Sequence, residues 1–238
     1  MKILAFDTSL GAVSAAVRWC GTDGKWSLRE ARQARQRGHA DGLMPLIGEV
    51  MARAGLAFCD LDRIAVTVGP GNFTGVRVGV AAARALVLAS RASAIGVSTL
   101  VVMAHQSNER LGGQRCGRLL AVAVDAPQDS VYLQLFAHGH QAAGPPQLLA
   151  VRAAASQIGT TPAIIVGSGA VSVRCALGAG GGAEATLPDL LPSASSLALL
   201  ASELAPTPAL RPLYLRPPDA KPPADFTLQR GPRDRGRR

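Results

Sequence analysis

The stretch from Arg63 to Ser98 constrains the fold more than any other. RIAVTVG (63–69) is an apolar, β-branched run of strand length, and GPGNF turns on glycine and proline. TGVRVGVAAARALVLAS (74–90) then repeats apolar residues at helical spacing, and SAIGVS (93–98) is strand-like again. Strand, helix and strand in succession make a parallel crossover, which lays helices on a buried sheet. Ahead of it stand three more strand-like runs, KILAFDT (2–8), AVSAAVRW (12–19) and WSLREARQA (26–34), joined by short turns at Gly11, Gly21 and Gly24, hence an antiparallel meander. Between meander and crossover, residues 40–54 carry Leu43, Leu46, Ile47, Val50, Met51 and Ala54 at 3/4 spacing and stop at Gly55. The order βββαβαβ predicts an α/β domain, a mixed sheet flanked by helices in the ribonuclease H style.

Parts of that order return. RLLAVAVDA (118–126) and SVYLQLFAH (130–138) read as a hairpin about Gln128, QLLAV (147–151) as a third run, and PAIIVGSGA (162–170) as a late strand and turn. Residues 178–188 read as a Gly/Ala-rich loop, and SASSLALLASELA (193–205) as a helix that Ser193 or Ser195 caps. A duplicated sheet domain follows. The expected division is 1–98 for the first domain, 99–205 for a smaller second α/β domain, and 206–238 for an extended Pro/Arg-rich segment that is disordered at its end.

Composition narrows the function classes. With 48% hydrophobic residues the chain fills a core, and with only 4% aromatics that core is aliphatic, so ligand stacking on rings is not a general device here. The formal charge of +9 suggests a polyanion partner, but residues 229–238 hold five Arg against one Asp, a net of +4, which leaves +5 for the rest. Cys20, Cys59, Cys116 and Cys175 lie far apart without a C-x-x-C pair, as expected of reduced thiols in the cytoplasm. Asp7 interrupts the N-terminal apolar run, which argues against a leader peptide, and Pro162 with three glycines breaks the uncharged stretch 153–173, which argues against a membrane span.

Two motifs have the residue types of a phosphate site. Asp7, Thr8 and Ser9 end the first strand, where a carboxylate and two hydroxyls can hold a metal-bound phosphate or simply satisfy strand-end backbone groups. GPGNFTG (69–75) joins a buried strand to a helix, so Gly69, Gly71 and Gly75 either converge N–H groups on an anion or only permit a tight turn; no Lys follows, so it is not a Walker loop. The helix after it is apolar nearly all round, and so requires cover on more than one side. His39, His105, His138 and His140 show no H-E-x-x-H, no i,i+4 ligand pair and no nucleophile elbow; His138 and His140 alternate about Gly139, which suits a shared metal-binding face or, more commonly, a solvated hairpin end.

The runs ILAFDTS, HADGLMPLI (39–47), TVGPGNFTGVRVG (67–79), IGVSTL (95–100), VDAPQDSVY (124–132) and PLYLRPPDA (212–220) together resemble the TsaB (YeaZ) family. The resemblance implies two ribonuclease H-like domains of the actin/Hsc70/acetate kinase type. It also implies a part in forming N6-threonylcarbamoyladenosine at position 37 of tRNAs that read codons beginning with A. The implied role is a cytoplasmic, non-catalytic pseudoenzyme scaffold that binds and activates the paralogous transferase TsaD. The ATPase TsaE would join the complex, tRNA would be met indirectly, and the chain alone would be a homodimer. The paralogue holds a metal through two histidines after the strand that here reads AIGVS; in this chain Thr99 and Met103 occupy those positions, so no metal is expected. No cofactor is expected either, with weak nucleotide binding confined to the complex, and Asp7, Thr8, Ser9, Gly69, Gly71 and Gly75 would be its vestigial loop. Two apolar helices side by side suggest a four-helix bundle with TsaD, through Leu43, Ile47, Val50, Val76, Val80 and Val87. The chain departs from the family at Pro127, where an Arg usually follows VDA. The alternative class is an enzyme, either a glycoprotease-like metallopeptidase or a phosphotransferase using Asp7 and the glycine loop.

Overall fold

The computed structural model describes residues 1–34, 39–112, 117–137, 141–178 and 180–215, with the backbone alone at 39 and 40. The first half contains β1 (Lys2–Asp7), β2 (Ala12–Cys20), β3 (Trp26–Ala34), α1 (His39–Ala54), β4 (Arg63–Thr67), α2 (Phe73–Ser90) and β5 (Ser93–Val97). Helix α3 (Thr99–Leu111) leads to β6 (Leu119–Ala126), β7 (Ser130–Phe136), β8 (Gln147–Ala150), α4 (Val151–Ile158), β9 (Ala163–Val166), α5 (Ala170–Leu177) and β10 (Ala183–Ala185), and α6 (Ala194–Glu203) follows.

Two five-stranded sheets result, ordered β3-β2-β1-β4-β5 and β10-β9-β6-β7-β8. Reversing the second gives the same order, with β6 standing for β1, β9 for β4 and α5 for α2. The duplication read from the sequence is therefore a repeat of topology. In the first sheet β1 pairs antiparallel with β2 (Phe6 opposite Ala15) and parallel with β4 (Ala5 opposite Ala65). In the second, β6 pairs antiparallel with β7 (Ala123 opposite Leu133) and parallel with β9 (Ala121 opposite Ile165). The β6–β7 hairpin turns through Gln128 and Asp129, both at positive φ.

Strand alternation assigns the layers. Leu4 and Phe6 of β1 face the helices α1 and α2, in a core with Val13, Leu43, Ile47, Val66, Val76 and Val80. Ile3 and Ala5 face the opposite side, where Leu197, Ala198 and Ala201 of α6 cover them. Helix α3 lies between the halves: its Leu100 and Met103 enter the core of the second sheet and its Val102 that of the first.

Helices α1 and α2 run close to the expected 40–54 and 74–90, but their faces differ from the expectation. Leu43, Ile47, Val50, Val76 and Val80 are all at most 2% exposed, and Val87 is half-buried against the same core. An α-helix brings i, i+4 and i+7 onto one stripe, and the sheet takes the stripe with the larger side chains. These residues are the inner surface, not an available partner face. The outward stripe of α2 holds Phe73, Arg77, Ala81, Arg84, Ala85 and Leu88, and that of α1 holds Met44, Gly48 and Ala52. By length and composition α2 would suffice to cross a membrane, yet its inner stripe is packed on its own sheet.

Two further differences concern the chain after residue 177. The loop read at 178–188 contains β10, whose Ala183 pairs parallel with Ala163. Helix α6, assigned by sequence to the second segment, packs on the first sheet because its Leu/Ala stripe covers the face that α1 and α2 leave open. Its cap is Ser193, whose hydroxyl accepts from the Ser195 and Ser196 amides and donates 3.0 Å to Glu30 of β3. That carboxylate complements the helix dipole.

From Pro206 the chain runs extended along β5. The Thr207 amide donates to Ala94 O (2.8 Å), Thr207 Oγ1 accepts from the Gly96 amide (2.9 Å), and the Leu213 amide donates to Val68 O (2.7 Å). Leu210 is buried in the first core, and its carbonyl accepts from Arg84 Nε (3.0 Å) and Nη2. The strap covers a sheet edge that would otherwise be open. The Arg-rich end read at 229–238 lies outside the described residues, as do His138, His140 and Cys116.

Candidate functional site

Five of the six residues of the expected phosphate loop, Asp7, Thr8, Ser9, Gly71 and Gly75, meet where β1 ends and α2 begins, and Gly69 opens the same turn. Asp7 Oδ1 accepts from the Ser9 amide (3.1 Å), Ser9 Oγ (2.6 Å) and Thr67 Oγ1 (2.5 Å). Thr8 Oγ1 donates to Gly75 O at 2.7 Å. Asp7, Thr8 and Ser9 are each at most 1% exposed. Burial pushes the Asp7 carboxyl above its ordinary value of 3.8, against the hydrogen bonds from Ser9 and Thr67 and the charge of Arg32, which pull it down.

The glycines are present because backbone lies against backbone. A Cβ on Gly71 would sit 2.2 Å from Ser9 O, one on Gly75 2.0 Å from Thr8 O, and one on Gly79 2.5 Å from Thr8 Oγ1. Two donors at the helix start are spent internally: the Asn72 amide on Ser9 O (2.7 Å) and the Gly75 amide on Asn72 Oδ1 (3.0 Å). Gly69, at φ 101° before a cis Pro70, accepts from the Thr99 amide at 2.9 Å and so ties the start of α3 to the same turn. The arrangement is a knot fastening α2 to β1, with the chain's own carbonyl oxygens where an anion would bind. Of the two readings the motif allowed, the tight turn is the one these contacts describe.

The second half repeats the device. Gly167 (φ 95°) and Gly169 join β9 to α5; a Cβ on Gly167 would meet Ala123 O at 2.4 Å, and the Gly169 amide donates to Ala123 O at 3.1 Å. Ser168 Oγ accepts from the Asp125 amide at 2.9 Å. Sequence reasoning read this GSGA as the turn after a late strand and assigned it no contact, although it follows a buried strand just as GPG does.

Thr99 and Met103 are fully buried in the first turns of α3, with Met103 Cε 3.2 Å from where a Gly167 Cβ would lie. His105 Nδ1 lies 3.6 Å from Glu109 Oε2 on the same helix. Among the described residues no group of three or more His, Cys, Asp or Glu side chains is placed to hold a metal ion. A cluster that sequence reasoning missed lies outside: the Arg77 guanidinium stacks 3.7 Å over the Phe73 ring and donates through Nε to Tyr214 Oη at 2.7 Å. The two rings are 5.1 Å apart. Its sequence signal was the Tyr of PLYLRP, an aromatic in a chain with only two Tyr.

Two mixed sheets of one topology, each with a glycine turn set against its first strand or the residues just after it, define a two-domain ribonuclease H-like α/β fold. The model of the family described as "TsaD: tRNA N6-adenosine threonylcarbamoyltransferase" matches residues 32–161. The tRNA threonylcarbamoyladenosine biosynthesis protein TsaB of Escherichia coli (strain K12) is 34% identical over 132 residues, which are 56% of this chain and 53% of that protein. The chain thus spans about half the length of that relative. An uncharacterized protein of Mycobacterium tuberculosis is 37% identical over 223 residues, 92% of this chain and 94% of that protein. A solved Pseudomonas aeruginosa structure, of an uncharacterized protein similar to the peptidase YEAZ, superposes with TM-score 0.74 at 27% identity over 90% of this chain and 99% of that one. The chain belongs to the TsaB/YeaZ family.

Proposed function

We propose that this chain is the non-catalytic subunit that binds and activates a TsaD-type transferase in forming N6-threonylcarbamoyladenosine at position 37 of tRNA. It works in the cytoplasm without a metal or cofactor of its own, with a TsaE-type ATPase completing the complex. One observation carries the reading: the glycines of the turn that would hold a phosphate lie directly against the carbonyl oxygens of Thr8 and Ser9. Supporting it, Thr99 and Met103, where the resemblance puts the paralogue's metal-binding histidines, are packed inside α3. The partner face of this reading moves from the inner valines to the outer stripes of α1 and α2, where Met44 is 48% and Leu88 84% exposed beside alanines. Small side chains on two neighbouring helices allow close approach of two helices from a partner, and in its absence of a second copy.

The test mixes the purified chain with its cognate TsaD and follows complex formation by light scattering and modified tRNA by mass spectrometry. Ala81→Glu and Ala85→Glu should fold as the parent does and lose both complex and activation. Val80→Glu and Ile47→Glu, buried charges without partners, should instead unfold, at a cost of about 3–5 kcal/mol. Modified tRNA or cleaved peptide produced by this chain alone would overturn the non-catalytic reading.

A further inference from the structure

Arg77 is held as no surface arginine needs to be. Its guanidinium is stacked on Phe73, one turn back on α2, and its Nε is taken by Tyr214 Oη of the strap, whose ring also lies 5.6 Å from the cation. Both rings remain exposed, Phe73 at 44% and Tyr214 at 43%. Among the described residues its two Nη atoms make no hydrogen bond. The result is a guanidinium fixed in plane and direction, with its terminal fork unspent. Such a fork matches a carboxylate or a phosphate in two parallel hydrogen bonds, and having been ordered already it loses little entropy on binding.

Which of the two it takes is decided by the surroundings. Arg77 begins the outward stripe that continues through Ala81, Ala85 and Leu88. The second arginine of that stripe, Arg84, is committed to Leu210 O. From Asp41 to Arg91 the chain has five Arg against Asp41, Glu49, Asp60 and Asp62, a net of +1. A nucleic-acid surface draws its affinity from several cations at once, and of the two arginines on the outward stripe of α2 Arg77 alone keeps its fork unspent among the described residues. An arginine between aromatic rings, at the end of an apolar helix face, has instead the composition of a protein interface anchor.

We propose that Arg77, set by Phe73 and Tyr214, is the anchor of the partner-facing surface and receives a carboxylate side chain of the partner protein. The extended segment after α6 is then part of the binding site, since it supplies the tyrosine that aims the guanidinium. The proposal rests on the functional reading above, in which the partner is the TsaD-type transferase.

The experiment titrates the full chain with its cognate transferase by calorimetry, at low and at high salt, and separately with tRNA by fluorescence anisotropy. Arg77→Ala should weaken transferase binding about 30-fold with an unchanged circular dichroism melt. Arg77→Lys, which keeps the charge and loses the fork, should recover only part of it. Tyr214→Phe, which keeps the ring and loses the Nε acceptor, should weaken binding about fivefold, and tRNA affinity should not move in any variant. Transferase binding unchanged in both Arg77→Ala and Tyr214→Phe overturns the anchor while leaving the functional reading intact. Loss of tRNA affinity with transferase affinity preserved overturns it in favour of a phosphate. A wild-type chain that does not bind the transferase removes the functional reading itself, and the anchor with it.

Discussion

Asp7 separates a structural knot from an anion or metal site, because the two demand opposite titration behaviour. Its carboxylate is buried and accepts three hydrogen bonds through Oδ1, yet burial outweighs them and the folded-state value stands above 3.8. A raised acid binds its proton more tightly in the folded than in the unfolded state. Stability therefore falls as pH rises from about 4 through the folded value and is level above it. Asp7→Asn keeps the Oδ1 acceptor and removes the buried charge, so at pH 7 it should lie within about 1 kcal/mol of wild type despite one new amide donor. Asp7→Ala strands the Ser9 and Thr67 donors and should cost about 3 kcal/mol or more, a melting temperature lower by about 6–12 °C in a chain of this size. Thermal melts between pH 4 and 8 on wild type and Asp7→Asn isolate this carboxyl from the others by difference. The advantage of the asparagine variant should grow as pH rises and then level off. An advantage that shrinks with rising pH would mean a carboxylate stabilised as an anion, and would refute the knot.

The glycines give an independent check by urea unfolding: Gly75→Ala, whose Cβ would lie 2.0 Å from Thr8 O, should cost about 3 kcal/mol or more, whereas Gly48→Ala, with nothing within 4 Å on the outer face of α1, should stabilise by up to about 1 kcal/mol. The strap is tested by Arg84→Ala, which releases the Leu210 carbonyl; limited proteolysis within 205–213 and hydrogen exchange at the Gly96 amide should both quicken, about tenfold for the loss of roughly one hydrogen bond.

The first half was legible because its signals are strong and separate. Continuous apolar runs end at glycines, so β1 to β5, α1 and α2 fall within a residue or two of where the pattern puts them. The misses have local causes. VRAAASQI has only Val151, Ala154, Ala155 and Ile158 for a buried stripe and follows QLLA without a break, so its helix reads as the end of a strand. Beta strand β10 is three residues among glycines, too short for any period to show. The candidate site was assembled correctly as a place and left open as chemistry, since GPGNFTG has the same letters whether the convergent donors meet an anion or Ser9 O. The orientation of α1 and α2 needed a comparison of side-chain size: Val76 and Val80 go in, Ala81 and Ala85 out. The strap has no period at all, because it binds through its own amides and carbonyls.

The repeat gives both halves of the fold the same backbone contact. In each half the glycine turn before the second crossover helix presses against a carbonyl of the first strand or of the residues just after it, Ala123 O within β6 in one and Thr8 O and Ser9 O after β1 in the other. A backbone contact of about 3 Å admits no side chain between, so both turns are rigid, and Gly69 O binds the start of α3, the helix that joins them. Both turns bear on the first turns of this helix, one through the Thr99 amide and the other beside the Met103 side chain. The strap extends this order to side chains: it fastens α2 through Arg84 and aims Arg77 through Tyr214. A guanidinium already ordered in this way loses little entropy when it is bound, which is what the proposed anchor role of Arg77 requires.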